Sequence, residues 1–172
     1  MSFLVLIVIA SLLAYVPQFL FGDRRDLRMA MRHGMALGLL FTGVDHFVHA
    51  TSRYVPMIPD FLAPLALPLV QVSGAAELLG AVGLLVPVAV YRRLGWPNLQ
   101  RWAGMGLALL FALLVIANIN VAVQGSQVEG LQFGTTYYVL RPLFQPLFIA
   151  WALYGVGVLA GRRTAPTPAA AA

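Results

Sequence analysis

The sequence contains no cysteine and no lysine. Without thiols it cannot form disulfides, thiolate metal sites, iron–sulfur clusters or a Cys-x-x-Cys relay, so any redox role must borrow its electron carrier. Charge is scarce as well: eleven arginines and six carboxylates stand in a chain of 172 residues, 60% of them apolar. Soluble domains are about half apolar and one quarter charged, and the mean hydropathy here is +0.85. A water-soluble globular fold is excluded. The net charge of +5 does not point to nucleic acid, because the arginines are dispersed between apolar runs instead of gathered on one face.

What is abundant is long apolar stretches. A bilayer core needs about 20 mostly apolar residues per helix, and five runs qualify, at roughly 2–21, 34–50, 68–90, 102–123 and 143–160. They predict an all-α, polytopic membrane bundle forming one domain over residues 1–160. The connecting segments 22–33, 51–67, 91–101 and 124–142 are polar or broken by proline. The tail 161–172 reads as disordered on the cytoplasmic side.

Arginine is retained on the cytoplasmic side of membranes. Arg24, Arg25, Arg28, Arg32, Arg92, Arg93, Arg101, Arg162 and Arg163 fall on one side of this topology, and only Arg53 and Arg141 on the other. The expected orientation is N-terminus outside and C-terminus cytoplasmic. The first run lacks the basic residues that precede a signal-peptide core, since its arginines follow it, so it is expected to be retained as a helix.

Ionisable groups at membrane depth cost about 2.5 to 3.5 kcal/mol on insertion scales and mark functional sites by default. Only two carboxylates fall within the runs, Asp45 and Glu77. At about 100° per residue, Thr42, Asp45, His46 and His49 share one face at the outer end of the second run. Ser73, Gly74 and Glu77 form a stripe on the third, with Glu77 about 13 Å down. Asn118, Asn120 and Gln124 close the fourth run, and Arg141, Gln145 and Trp151 open the fifth. Asn118 and Asn120 lie about 160° apart and cannot both face one cavity on a regular helix. The expected arrangement is an outward-opening polar pocket, Glu77 at its floor and Asp45, His46, His49 and Arg141 nearer its mouth.

Segment 51–67 holds Pro56, Pro59 and Pro64 just ahead of Pro68, which forbid a regular helix. Its Met57, Ile58, Phe61, Leu62, Leu65 and Leu67 suit an interfacial lid. Pro146 is expected to bend the last span or free the carbonyl of Pro142. Purely structural roles compete with these: hydrogen-bonded clusters around Asp45, His46 and His49, a Glu77 lock with Ser73 or Arg141, glycines for close helix packing, and Trp96, Trp102, Tyr91, Tyr137 and Tyr138 as interface anchors.

His46 and His49 with Asp45 and Glu77 offer two imidazoles and two carboxylates, too few for the carboxylate-bridged di-iron pattern, and no metal is assigned to the site. No covalently bound cofactor is expected. Histidines on facing helices, as haem requires, are missing, and so are a Gly-x-Ser-x-Gly elbow and phosphate-binding glycine motifs. A lipophilic or amphipathic small molecule, such as a quinone or sterol, remains.

Gly43-Val44-Asp45-His46-Phe47, Met57-Ile58-Pro59, Ser73-Gly74-Ala75-Ala76-Glu77-Leu78-Leu79-Gly80, Ala117-Asn118-Ile119-Asn120-Val121-Ala122 and Arg141-Pro142-Leu143-Phe144-Gln145 with Ile149-Ala150-Trp151-Ala152 follow one another in order. Over residues 34–160 the chain thereby resembles the DoxX-like family of small bacterial membrane proteins. It departs from that pattern at Ile116-Ala117, where a proline usually precedes the asparagine motif. The resemblance implies a four-helix core, here with an added N-terminal span, in the bacterial inner membrane. It also implies a link to quinone-dependent oxidation and membrane oxidoreductase complexes.

The leading expectation is a redox-system subunit that binds a quinone or similar molecule. Glu77 and His46 would act on protons or ligand carbonyls, and Asp45, His49, Ser73, Asn118, Arg141 and Gln145 would bind. Its partners would be the bilayer and a membrane or periplasmic protein that carries electrons. The alternatives are a non-catalytic scaffold subunit of a larger complex and a metal or small-molecule transport accessory.

Overall fold

The computed structural model describes residues 3–21, 26–124 and 135–159, and every element in them is helical. The long helices are α1 (Phe3–Phe21), α2 (Leu27–Val48), α3 (Ala66–Leu85), α5 (Leu99–Gln124) and α6 (Thr135–Gly155), with a short α4 at Val88–Arg93. The tail expected to be disordered, Glu129 and the segment holding Asp23, Arg24 and Arg25 lie outside the described residues.

Among the described residues, three stretches are long and apolar enough to cross a membrane: Phe3–Leu20, Asp60–Leu85 and Leu99–Gln124. The chain is therefore read as a membrane protein. Helices α2 and α6 have comparable lengths, 22 and 21 residues, about 30 Å each at 1.5 Å per residue. Their apolar character is diluted by Arg28, Arg32, Asp45 and His46 in one and Arg141 and Gln145 in the other. The outward surface is apolar in the way lipid requires, with Leu20 69%, Leu79 74% and Val123 79% exposed.

Helix α1 packs on α2, α2 on α3 and α6, and α5 on α3 and α6. Ile7, Met35, Leu39, Leu84, Leu107, Phe111 and Phe148 form the buried core between them. Asp26 starts α2 by accepting the Met29 N–H at 3.0 Å, the usual service of an N-cap carboxylate to an orphan donor. Its own N–H donates to Gln18 Oε1 at 2.7 Å, which ties the turn to α1. Gly34 lets α1 and α2 touch: a Cβ there would stand 2.7 Å from both the Ile7 carbonyl and the Ser11 nitrogen.

Three span boundaries differ from the sequence expectation: α2 begins at Leu27 and not at 34, taking in half of the expected link 22–33, and two others turn on proline. The run 68–90 is not one helix, because α3 stops at Leu85 and α4 begins at Val88. Proline disfavours the helical region for the residue before it, and Val86, before Pro87, is extended at φ −64°, ψ 122°. Gln100 completes the break by donating to the Leu84 carbonyl at 3.1 Å and the Val86 carbonyl at 2.9 Å. The last span starts at Thr135, well before 143, and runs through Pro142 and Pro146. Packing in a bundle tolerates proline inside a membrane helix, so Arg141 sits on a helix and not in a loop.

The proline-rich link forms short turns in place of a regular helix: a π turn at Ala50–Tyr54 and 3-10 turns at Val55–Met57 and Asp60–Leu65. Met57 is buried and Phe61 projects outward, 75% exposed. This link roofs the site.

Candidate functional site

A cavity of about 250 Å³ lies beneath this link, between the roof-side halves of α2, α3, α5 and α6. Its walls can be followed in layers from the roof inward. Tyr54, Met57 and Tyr137 line the top; His46, Asn118 and Arg141 come next; Thr42, Glu77 and Gln145 lie one turn deeper; Phe3, Phe111 and Phe148 end it.

In the middle layer, the Thr42 hydroxyl donates to Glu77 Oε2 at 2.5 Å. Glu77 is 5% exposed, and its Oε2 lies 3.7 Å from His46 Nδ1. His46 Nδ1 is 2.8 Å from the Thr42 carbonyl. A carbonyl only accepts, so Nδ1 carries the proton and Nε2 is left to accept from, or when protonated donate to, a molecule in the cavity. The approach of α2 to α3 that brings this pair together depends on Gly74, where a Cβ would stand 2.6 Å from the His46 Cβ.

Arg141 donates through Nε to Asn118 Oδ1 at 2.9 Å, lies 3.7 Å from the Met57 sulfur, and has its guanidinium 6.0 Å from the Tyr137 ring centre. No carboxylate pairs with it among the described residues. One turn deeper Gln145 is buried, and its Oε1 has no hydrogen-bond partner. Buried amides are almost always satisfied, so this one marks a place where a ligand or water belongs.

Above, Asp45 gathers three donors. His49 Nδ1 lies 2.6 Å from Oδ1, Arg53 pairs with Oδ2, and the Tyr54 hydroxyl donates to Oδ2 at 2.8 Å. Tyr54 in turn stacks on His46, ring centres 3.8 Å apart and 23° from parallel. Burial and the bond to the carboxylate hold the Tyr54 hydroxyl above its usual pKa, so it stays a donor.

Of the residues expected at the site, His46, Glu77, Asp45, Ser73, Asn118, Arg141 and Gln145 line the cavity together. His49 does not; its side chain is 45% exposed and braces Asp45 from outside. Ser73 faces the cavity but donates to its own helix at the Val70 carbonyl, and Glu77 is held by Thr42 rather than by Ser73 or Arg141. Glu77 is not the floor, which is an aromatic cluster one level deeper: Phe3 and Phe148 meet edge to face at 5.0 Å, and Phe111 packs 5.8 Å from Phe148. Asn120 turns away and donates to the Met57 carbonyl at 3.1 Å, pinning the roof. Among the expected interface anchors, Trp96 and Trp102 are exposed, but Tyr91 and Tyr138 are buried, and Tyr137 lines the cavity. Tyr91 spends its hydroxyl on the Gly83 carbonyl.

Sequence reasoning missed Tyr54 and Arg53 as partners of Asp45, because the π turn at Ala50–Tyr54 breaks the 100° periodicity on which face assignments rest. It also missed the phenylalanine floor, since nothing in an apolar chain distinguishes those rings from lipid-facing ones. Among the described residues, no group of three or more His, Asp or Glu side chains is arranged to hold a metal ion.

Fold and cavity together define an all-helical membrane protein with a polar chamber enclosed between its helices. The chain belongs to the family described as a domain of unknown function (DUF8561), whose family model matches residues 35–155. That match covers most of α2 through α6 and leaves α1 outside it. No curated protein and no solved structure matches the chain.

Proposed function

We propose that this chain is a five-span protein of the bacterial inner membrane, N-terminus outside, whose cavity holds the polar ring of a quinone or similar lipophilic molecule. In this reading α2, α3, α5 and α6 form a four-helix core of DoxX-like type and α1 is the added span. The single observation that carries the reading is the convergence of Glu77, His46, Arg141 and the unpartnered Gln145 on one small chamber with an aromatic floor. Ligand sites are concave, largely apolar and equipped with a few convergent polar groups, and this chamber has that composition.

A quinone supplies reversible two-electron, two-proton chemistry when bound. The chain's own residues would hold it and manage protons: Arg141 donates to a carbonyl oxygen, Gln145 Oε1 accepts from a hydroxyl of the reduced ring, and His46 Nε2 and the Glu77 carboxyl give or take protons. Phe3, Phe111 and Phe148 exclude water from below. Electrons must pass to or from an electron-transfer protein, because the chain has no thiol or cofactor motif of its own.

The test is to purify the protein in mild detergent, extract bound molecules, and identify quinone, lipid or metal by mass spectrometry alongside Glu77→Gln and His46→Ala. Stoichiometric quinone in the unaltered protein, lost in both variants, supports the reading. Equal ligand content in all three refutes it.

A second reading, a non-catalytic scaffold subunit, has its own support. Thr42 to Glu77, Arg141 to Asn118 and Trp151 Nε1 to the Met31 carbonyl at 3.0 Å all join different helices, as polar residues do when they serve only to glue membrane helices together. It predicts that the same variants disturb assembly with a partner and change no bound molecule.

A further inference from the structure

The route by which the cavity is reached, and hence the shape of its ligand, follows from which of its walls are covered. The roof is closed. Met57 is 7% exposed, its carbonyl is held by Asn120 and its sulfur rests against Arg141. Tyr54 is fixed beside it by Asp45 below and by stacking on His46. The floor is the phenylalanine cluster.

The side is different. Phe41 lines the cavity and is also 63% exposed. It precedes Thr42, so this opening lies at the depth of Glu77 and not at the outer rim. Phe144 of α6, half-buried, lines the cavity as well, so α2 and α6 each contribute an apolar ring to its wall. At this depth the surroundings of a membrane protein are hydrocarbon. A volume of about 250 Å³ lies below the roughly 300 to 1,000 Å³ that enclose a drug-sized ligand. One ring fits, and a whole lipid does not.

We propose that the cavity is loaded sideways from the bilayer past Phe41, and that its ligand is a ring-sized polar head on an apolar tail, the tail leaving over Phe41 into lipid. This rests on the reading of the cavity as a ligand site and adds the ligand's architecture and path. It separates a lipid-tailed molecule from a small soluble one that would arrive through water.

The experiment uses the full chain in nanodiscs of one lipid composition and two probes, 2,3-dimethoxy-5-methyl-1,4-benzoquinone and its decyl derivative. Partition into lipid is the same for every variant, so ratios between variants report contacts with protein. Phe41→Ala is expected to weaken the decyl probe about threefold, because in the bilayer lipid replaces the lost ring and only its packing is forfeited, and to leave the tailless ring unchanged. Phe61→Ala, on the outer surface, changes neither. Both probes weakened equally, or neither, overturns the side opening while leaving the ring site in place.

If the unaltered protein binds neither probe, the quinone reading fails. The opening is then judged without a ligand, by a nitroxide on Phe41→Cys, a substitution the cysteine-free chain permits. Collisions dominated by oxygen dissolved in the bilayer support it, and collisions dominated by a water-soluble nickel chelate overturn it.

Discussion

The contact between Tyr54 and Asp45 is the joint on which the upper site turns, and its worth can be measured. The Tyr54 hydroxyl donates to Asp45 Oδ2 at 2.8 Å, and the same carboxylate takes His49 and Arg53. A hydrogen bond to a charged group contributes about 1.5 to 3 kcal/mol. The Asp45 side chain is 11% exposed and that of Arg53 37%, so solvent screens the ion pair and the lower figure applies. Tyr54→Phe keeps the ring stacked on His46 and removes only the donor. Asp45→Ala removes the acceptor for all three donors and is expected to cost more, about 2 to 3 kcal/mol, because it leaves the half-buried Tyr54 hydroxyl and the His49 ring without their partner. If the bond is real, the double variant is less destabilised than the sum of the singles by about 1.5 kcal/mol, which is roughly tenfold in the unfolding equilibrium. The assay is a double-mutant cycle from reversible unfolding in mixed micelles. Additivity within about 0.5 kcal/mol would show that Asp45 does not hold Tyr54, and the roof would lose its stated anchor.

Three further outcomes follow from the fold. Gln100→Ala strips two carbonyls at the end of α3 of their only side-chain donor and is expected to destabilise by about 2 kcal/mol in the same unfolding assay; a cost below about 0.5 kcal/mol would contradict that role. Gly34→Val forces a side chain against the backbone of Ile7 and Ser11 and is expected to cost about 1 to 3 kcal/mol and to free α1, read by loss of a disulfide cross-link engineered between α1 and α2. Gly106→Ala, where an added Cβ meets nothing within 4 Å, is the neutral control. Orientation is open to direct measurement because the chain has no cysteine of its own: a membrane-impermeant maleimide should label Ser52→Cys from outside intact cells and Leu94→Cys only after lysis, and the reverse pattern would invert the topology.

Much of the site was legible in the sequence because polar residues are rare in this chain. Glu77 stands in an apolar run, and the spacing of Thr42, Asp45 and His46 places them on one face, so a reader who asks only which ionisable groups lie at membrane depth reaches most of the cavity wall. Tyr54 was illegible for a different reason. Its alignment with His46 depends on a π turn, and a wheel drawn at 100° per residue misplaces everything beyond Val48. The phenylalanine floor was illegible because contrast runs one way: a polar residue in lipid announces itself, whereas an apolar residue facing a cavity looks like one facing the bilayer.

Proline was the hardest signal to weigh, and the end of α3 and the start of α6 show why. Pro87 ends a helix while Pro142 and Pro146 do not, although each removes one backbone donor and crowds the preceding turn. The difference lies in what receives the freed carbonyls and in what the helix packs against. After α3 the chain can turn because Gln100, thirteen residues beyond Pro87 in sequence, returns to bond Leu84 and Val86; the break is completed by a side chain from α5. In α6 the residues around the prolines are the ones that build the cavity: Arg141 is bonded to Asn118 of α5, Gln145 faces the chamber, and Phe148 closes the floor. Spaced at 141, 145 and 148, they fall on one face only if the backbone stays helical through both prolines. The tertiary contacts therefore hold in place a helix that local propensity would have ended, and the residues that enforce it are those proposed to hold the ligand.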